Sequence, residues 1–106
     1  MAVELSMRLD DRRDRAISGA RAAVSALAAL GVTAVITGSL VRNTFGPHAE
    51  VDFLITACPH HLKYAIEGMV EDALGGLPFD VVYLDEIPAW KVARFTEGAV
   101  DASDLR

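Results

Sequence analysis

The sequence predicts a small α/β domain: a mixed sheet of three strands, or slightly more, with helices packed on it. Short apolar runs of strand length alternate with stripes of helical period along the chain. Glycines and prolines separate these segments at regular intervals. With 106 residues, 52% of them hydrophobic, the chain can bury roughly 60–70% of its unfolded surface. These observations favour one domain spanning residues 1–106, with its core at about 16–98.

Composition and charge restrict the class of protein. No apolar run approaches membrane-spanning length, and the first fifteen residues are charged and lack the apolar segment of a secretion signal. The only cysteine, Cys58, cannot form an internal disulfide. These features predict a cytoplasmic protein with no membrane partner. The net charge of −5 disfavours nucleic acid as a partner, with tRNA the one exception kept open, and leaves a homo-oligomer undecided.

The first half of the chain predicts a helix, a strand and a short helical turn. Residues 1–15 alternate acids and arginines, which indicates a solvated helix start or a frayed terminus. From Ala16 a helical stripe follows and ends at Gly31. The β-branched segment Val32–Thr37 predicts the first strand, and Leu40–Phe45 one or two helical turns. The stripe consists of Ile17, Ala20, Val24, Leu27 and Leu30.

The second half repeats the alternation of strands and helices. Strands are predicted at Glu50–Thr56 and Phe79–Leu84. A helix should begin at Pro59, where proline is tolerated in the first turn, and end at a pair of glycines after Leu74. A last helix is expected over Ala89–Thr96, and Asp101–Arg106 indicates a tail. The apolar contacts of the last helix would be Trp90, Val92 and Phe95.

The segment that carries chemistry joins the first two strands. Ten residues separate Gly38-Ser39 from Glu50, and one residue, Val51, separates Glu50 from Asp52. On a strand these two acids share one face, where their mutual repulsion favours a bound cation. A helix beginning just after the Gly-Ser turn would offer free N–H groups to a phosphate. The opposite, core-facing side of this strand would be Val51, Phe53 and Ile55.

A third acid, Asp80, lies inside the otherwise apolar third strand. Such a carboxylate is costly unless it is paired, solvated or bound to metal. It is therefore a candidate third member of the acidic group, with an ordinary water-facing acid at a strand start as the alternative. The pair His60-His61 beside Cys58 lacks a second ligand pair at useful spacing, which argues against zinc. Gly75-Gly76 is not followed by a phosphate-loop lysine.

The pattern of Gly-Ser, ten residues and acid-x-acid resembles the DNA polymerase beta-like nucleotidyltransferases. The short chain is similar to their minimal nucleotidyltransferase (MNT) domains, which are often paired with HEPN toxins. Three positions depart from the family pattern: Glu50 replaces an aspartate, Ala49 a frequent serine and Asn43 a frequent glycine. The positions that match are Gly38, Ser39, Arg42, Thr44, Pro47 and Asp52, with Asp80 as the later acid.

The resemblance implies a metal-dependent enzyme. Glu50, Asp52 and Asp80 would be catalytic and would bind Mg²⁺ or Mn²⁺, while Gly38 and Ser39 would bind the nucleotide. Arg42 would neutralise the leaving pyrophosphate, or else form a salt bridge to a nearby acid. The reaction would transfer AMP from ATP, or another nucleoside monophosphate, to a hydroxyl on a protein. That partner would be a HEPN-type toxin, which makes this chain an antitoxin.

Glu50 also supports a second interpretation. Its extra methylene moves the carboxylate by about 1.5 Å, the length of a C–C bond, which matters to an ion that tolerates little distortion. The alternative is a degenerate MNT-fold binding module that neutralises its partner by complex formation. Asn43 for glycine is a mild change, because asparagine tolerates left-handed backbone geometry.

Overall fold

A long N-terminal helix, three strands and two short helices form the molecule. The computed structural model describes the backbone of residues 2–106 and the side chains of residues 10–106. In chain order the elements are α1 (Ala2–Ala28), β1 (Thr33–Thr37), β2 (Val51–Ala57), α2 (Glu67–Leu74), β3 (Phe79–Tyr83) and α3 (Val92–Thr96). Single 3₁₀ turns lie at Gly38–Leu40, His60–Leu62, Leu84–Glu86, Ala89–Lys91 and Ala102–Asp104. The predicted α/β fold with a mixed three-stranded sheet is confirmed.

The strand directions decide which chain segments meet. The central strand β2 pairs antiparallel with β1 and parallel with β3. The end of β1 therefore lies beside the starts of β2 and β3, at one edge of the sheet. In register, Thr37 pairs with Asp52, and Asp52 pairs with Asp80. The topology thus places the Gly-Ser turn and two predicted acids next to each other.

The hydrophobic core lies between the sheet and the two helices α1 and α2. Small residues on α1 let it approach α2 closely. Gly19 marks the closest approach, because a β-carbon there would lie 2.7 Å from the Leu74 side chain. The largest fully buried side chains are Leu27, Val32, Ile36, Leu40, Val51, Phe53, Leu54, Ile66 and Val70.

Helix α1 begins much earlier than the apolar stripe indicated. The stripe predicted a helix from Ala16, whereas α1 starts at Ala2 and ends at Ala28. Ile17, Ala20 and Leu27 are buried, as expected of that stripe. Leu30 was wrongly placed in it and is 44% exposed. The chain has already left the helix there, and it turns into β1 at Gly31, whose φ is +81°.

The helix expected from Pro59 is much shorter than predicted. After one 3₁₀ turn, Lys63 is extended and Tyr64 has a φ of +69°, so α2 begins only at Glu67. Lys63 forms ion pairs at 2.8 Å with Asp85 and 2.9 Å with Glu86, just beyond β3. Lys63 reaches these partners from an extended backbone. Because the partners lie far along the chain, the continuous apolar period in the sequence does not reveal them.

The C-terminal segment also differs from the prediction. The last helical segment lies where expected, but Trp90 is 73% exposed and is not an apolar contact of the core. The predicted tail packs against α1, because the guanidinium of Arg21 donates to the carbonyls of Ala102 (3.1 Å) and Leu105 (2.7 Å). The side chains of Ala102 and Leu105 are buried. Val100 extends the sheet by a two-bond bridge to Ile36 in β1.

Candidate functional site

The turn after β1 is built around Gly38. Its φ is +78°, a conformation that glycine adopts without strain. A β-carbon at this position would overlap a carboxylate oxygen of Asp52 and lie 3.0 Å from its Cγ. The glycine is therefore required twice, by the backbone conformation and by the direct contact with the acid. The turn and Asp52 form one unit.

Asp52 and Asp80 lie side by side on the two parallel strands. The pKa of Asp52 is raised, first by partial burial and then by the charges of Asp80 and Glu50, while the Arg42 guanidinium acts in the opposite direction. Asp80 is exposed. Two adjacent carboxylates, one of them partly buried, create a negative field that a bound cation would relieve. The donor set thus fits a divalent ion.

Asp52 and Asp80 both line a cavity of about 270 Å³. Two guanidinium groups also line it, Arg42 from the loop after β1 and Arg94 from α3. Neither is in an ion pair with another side chain of residues 10–106. The sequence pattern did not predict Arg94, because it lies on α3, far along the chain from the Gly38 turn and Asp52. The apolar part of the lining is Phe53, Leu54, Val82 and Phe95.

The sequence predicts one or two helical turns over Leu40–Phe45, whereas the loop between Gly38 and Glu50 has a single 3₁₀ turn at Gly38–Leu40, followed by non-helical turns. A 3₁₀ turn is followed by a bend in which the Thr44 N–H donates to the Ser39 carbonyl at 2.9 Å. Asn43 has a φ of +61°, which agrees with the left-handed tolerance expected of asparagine at a glycine position. Since this turn is short, it does not supply the helix N-terminus that was expected to bind a phosphate.

Two predicted site residues lie beside the cavity and not among its lining residues. Ser39 follows Gly38 directly and is partly exposed. Glu50 precedes β2 and is exposed, yet close enough for its charge to raise the pKa of Asp52, after burial and Asp80. Among the residues that the structure describes, no group of three or more Asp, Glu, His or Cys side chains is placed to hold one metal ion. The three-carboxylate set remains a prediction.

A larger cavity, of about 410 Å³, lies between α1 and the C-terminal residues, and none of the three predicted acids lines it. Its lining contains a single carboxylate, Asp14, beside Arg21 and Arg106. It offers no paired acids and no glycine turn. The smaller cavity is therefore the better candidate for chemistry, although it is not the largest.

Comparison with known families agrees with this geometry. A family model described as a nucleotidyltransferase domain matches residues 17–100. The chain belongs to the nucleotidyltransferase domain family. No curated protein and no solved structure gives a significant match. The matched region of this nucleotidyltransferase domain runs from the middle of α1 to Val100, so it contains the whole sheet, the Gly38 turn and both cavity arginines.

The resemblance to nucleotidyltransferases, first seen in Gly38 to Ile55, is thereby confirmed, and nucleotidyl transfer is the general activity it supports. No helix in the described part of this nucleotidyltransferase domain is both long and apolar enough to cross a membrane.

Proposed function

We propose that this chain transfers a nucleoside monophosphate, AMP from ATP, to a hydroxyl group of a protein partner. The observation that carries the proposal is the pairing of Asp52 with Asp80 against the Gly38 turn, in a cavity that also holds Arg42. Carboxylates beside a guanidinium group form a site for phosphate oxygens and a cation together.

Each residue has a distinct task in this reaction. The acceptor oxygen attacks the α-phosphorus, the bond from that phosphorus to the β-bridging oxygen breaks, and pyrophosphate leaves. Asp80 is exposed at the cavity and accepts the proton of the acceptor hydroxyl. Arg42 and Arg94 bind the phosphate oxygens and neutralise the charge that builds up on pyrophosphate. Ser39, next to the Gly38 turn, holds the departing phosphates.

Asp52 and Asp80 would hold the divalent ion, with Glu50 as the further predicted ligand. When bound, Mg²⁺ or Mn²⁺ supplies charge neutralisation and a lower pKa for the attacking hydroxyl. Mg²⁺ commonly relies on one or two protein carboxylates and takes other ligands from substrate phosphates. A pair of carboxylates is therefore a sufficient protein contribution once the nucleotide is present.

The acceptor we propose is a HEPN-type toxin, silenced by the modification, which makes this chain its antitoxin. The cavity of about 270 Å³ is at the small end of ligand sites, which favours an acceptor that approaches from outside it. A net charge of −5 favours a protein acceptor over tRNA. A basic protein surface would complement this charge.

The experiment is a transfer assay with the purified chain, α-³²P-labelled ATP, Mg²⁺ or Mn²⁺, and the product of the neighbouring gene as acceptor. Label should appear on the acceptor with the wild-type chain and disappear with Asp52→Asn. Glu50→Asp, which restores the common family residue, should preserve or raise the rate. Failure of the wild type to label any acceptor, or to bind nucleotide, would refute the enzymatic proposal.

A specific observation supports one alternative, a degenerate module that neutralises its partner by binding alone. Glu50 lies outside the lining of the cavity, and no three-ligand group is formed by the described residues. The two functions differ in the same assay. Tight, nucleotide-independent binding of the acceptor without label transfer, unchanged in Asp52→Asn, would favour the binding module.

A further inference from the structure

The arginine-rich start of α1 contributes one side chain to the loop that precedes the acids. The guanidinium of Arg12 donates two hydrogen bonds across the molecule, to the carbonyl oxygens of Gly46 at 3.0 Å and Ala49 at 3.1 Å. Its Cζ also lies 4.8 Å from the ring centroid of Phe45. Phe45 is buried, so the guanidinium sits on a fixed aromatic surface.

The hydrogen bond to Ala49 bears directly on the acidic site, because the Ala49 carbonyl belongs to the peptide group that joins Ala49 to Glu50. The next amide, that of Val51, donates to the Pro78 carbonyl at 3.0 Å, just before β3. Glu50 is thus held between two anchors, Arg12 on one side and the β2–β3 pairing on the other. Since Glu50 itself is exposed, these backbone contacts are what fix its position.

We propose that Arg12 is a positioning residue of the acidic site, which fixes the Gly46–Glu50 loop so that the Glu50 carboxylate faces the Asp52–Asp80 pair. This inference rests on the proposed function, in which Glu50 is a predicted ligand. The planar guanidinium is suited to the task, because it binds two carbonyls at once in a fixed orientation. A lysine ammonium is a compact charge on a flexible stem, so it would not hold both carbonyls in this fixed geometry.

Helix α1 contains a matched control. Arg21 makes the same type of contact, a guanidinium donating to two backbone carbonyls, those of Ala102 at 3.1 Å and Leu105 at 2.7 Å. Its target is the C-terminal turn and not the acidic site. Arg12→Ala and Arg21→Ala therefore remove equivalent hydrogen bonds from the same helix. If arginines on α1 served stability alone, the two variants would behave alike in metal binding and transfer.

The test measures Mn²⁺ binding by the electron paramagnetic resonance signal of the free ion, transfer kinetics, and thermal stability of the full chain. Both variants should lose thermal stability, Arg12→Ala somewhat more because it also loses the contact with the Phe45 ring. Arg12→Ala should also weaken Mn²⁺ binding or lower kcat by about 10–100-fold, the usual effect of losing a residue that orients a metal ligand. Arg21→Ala should stay within about twofold of wild type by the same reasoning. Arg12→Lys should resemble Arg12→Ala, because it keeps the charge and loses the paired geometry.

Amide hydrogen exchange makes the result independent of catalysis. Arg12→Ala should accelerate exchange of the Val51 amide in the metal-free chain, while Arg21→Ala leaves it unchanged. A wild type that neither binds Mn²⁺ nor transfers label would refute the proposed function, and the exchange data would still decide whether Arg12 positions this loop. Equal exchange and equal Mn²⁺ affinity in Arg12→Ala and Arg21→Ala, or full function in Arg12→Lys, would overturn the inference.

Discussion

Replacing Gly38 by alanine tests the central contact of the site. The new β-carbon would occupy the position of an Asp52 carboxylate oxygen, so the acid must move. The backbone must also keep a φ of +78°, which is unfavourable for alanine. We therefore expect Gly38→Ala to lose both stability and activity, for two separable reasons.

Gly98 is the matched control for the effect of backbone conformation. Its φ of +76° is nearly that of Gly38, but a β-carbon there meets no atom within 4 Å. Gly98→Ala should cost only the left-handed conformation, about 1–2 kcal/mol. Gly38→Ala should cost that plus the overlap, about 1–3 kcal/mol more by analogy with overpacked cores. Each kcal/mol lowers Tm by roughly 4–8 °C in a domain of this size.

The assay is thermal unfolding of both variants and the wild type without divalent ions, followed by transfer kinetics. Displacement of a reacting group by about 1 Å can cost about 100-fold in rate, so Gly38→Ala should lose at least that much. Gly98→Ala should keep wild-type kinetics at temperatures where it is folded. Equal Tm values for the two variants, or an active Gly38→Ala enzyme, would show that Asp52 does not rest against this turn as described.

Three further predictions address packing, charge and substrate binding. Gly19→Ala should lower the free energy of unfolding in urea by about 1–3 kcal/mol, because its β-carbon would lie 2.7 Å from a leucine side chain of α2. Gly68→Ala, with no atom within 4 Å, should raise it by about 0.5–1 kcal/mol through helix propensity. The pKa of Asp52 is raised above its ordinary value of 3.8, mainly by burial and next by neighbouring acids. The ionised carboxylate therefore lowers the stability of the folded protein at neutral pH. In scanning calorimetry at pH 7 without divalent ions, Asp52→Asn should therefore have a higher Tm than the wild type. The difference in Tm should shrink as the pH falls through the raised pKa towards 3.8, because Asp52 becomes protonated and uncharged. Arg94→Gln should raise the KM for nucleotide about 10–100-fold in steady-state kinetics, the value of a charged hydrogen bond, whereas Lys91→Gln, outside the cavity lining, should not.

Each of these predictions has a result that contradicts it. A stabilised Gly19→Ala would mean that α1 and α2 are not in close contact at this point.

Saturating Mg²⁺ at about 100 times its Kd should add about 2.7 kcal/mol to the free energy of unfolding of the wild type and nothing to that of Asp52→Asn. Mg²⁺ stabilising both proteins equally would place the ion elsewhere. An unchanged KM in Arg94→Gln would remove α3 from the nucleotide site.

The strands could be predicted within a residue or two, whereas the second helix could not. β1 and β3 are short β-branched runs bounded by glycine and proline, so local chemistry defines them. Before α2 the backbone is extended at Lys63 and left-handed at Tyr64, and Lys63 pairs with Asp85 and Glu86, which lie beyond β3. Contacts between segments so far apart in the chain are not visible in an apolar period that continues through the turn.

The candidate site shows the same division. Gly38 and Asp52 could be found because their spacing is fixed by one connection between adjacent strands. Arg94 and Arg12 could not, because each reaches the site from a helix far away in sequence, and an arginine on a helix surface usually indicates nothing more than solvation. Sequence patterns thus locate the acids, and only the packing identifies the basic groups around them.

The mixed sheet is itself the feature that makes a site out of this motif. If β1 ran parallel to β2, its end would lie at the opposite edge of the sheet, a strand length away from Asp52. The antiparallel pairing of Thr37 with Asp52 brings the Gly38 turn onto the acid, and the parallel pairing then adds Asp80. Three segments from different parts of the chain consequently meet at one edge, where partial burial keeps the pKa of Asp52 high. The fold holds two carboxylates that repel each other at this edge. A cationic ligand would be bound more tightly because its charge removes that repulsion.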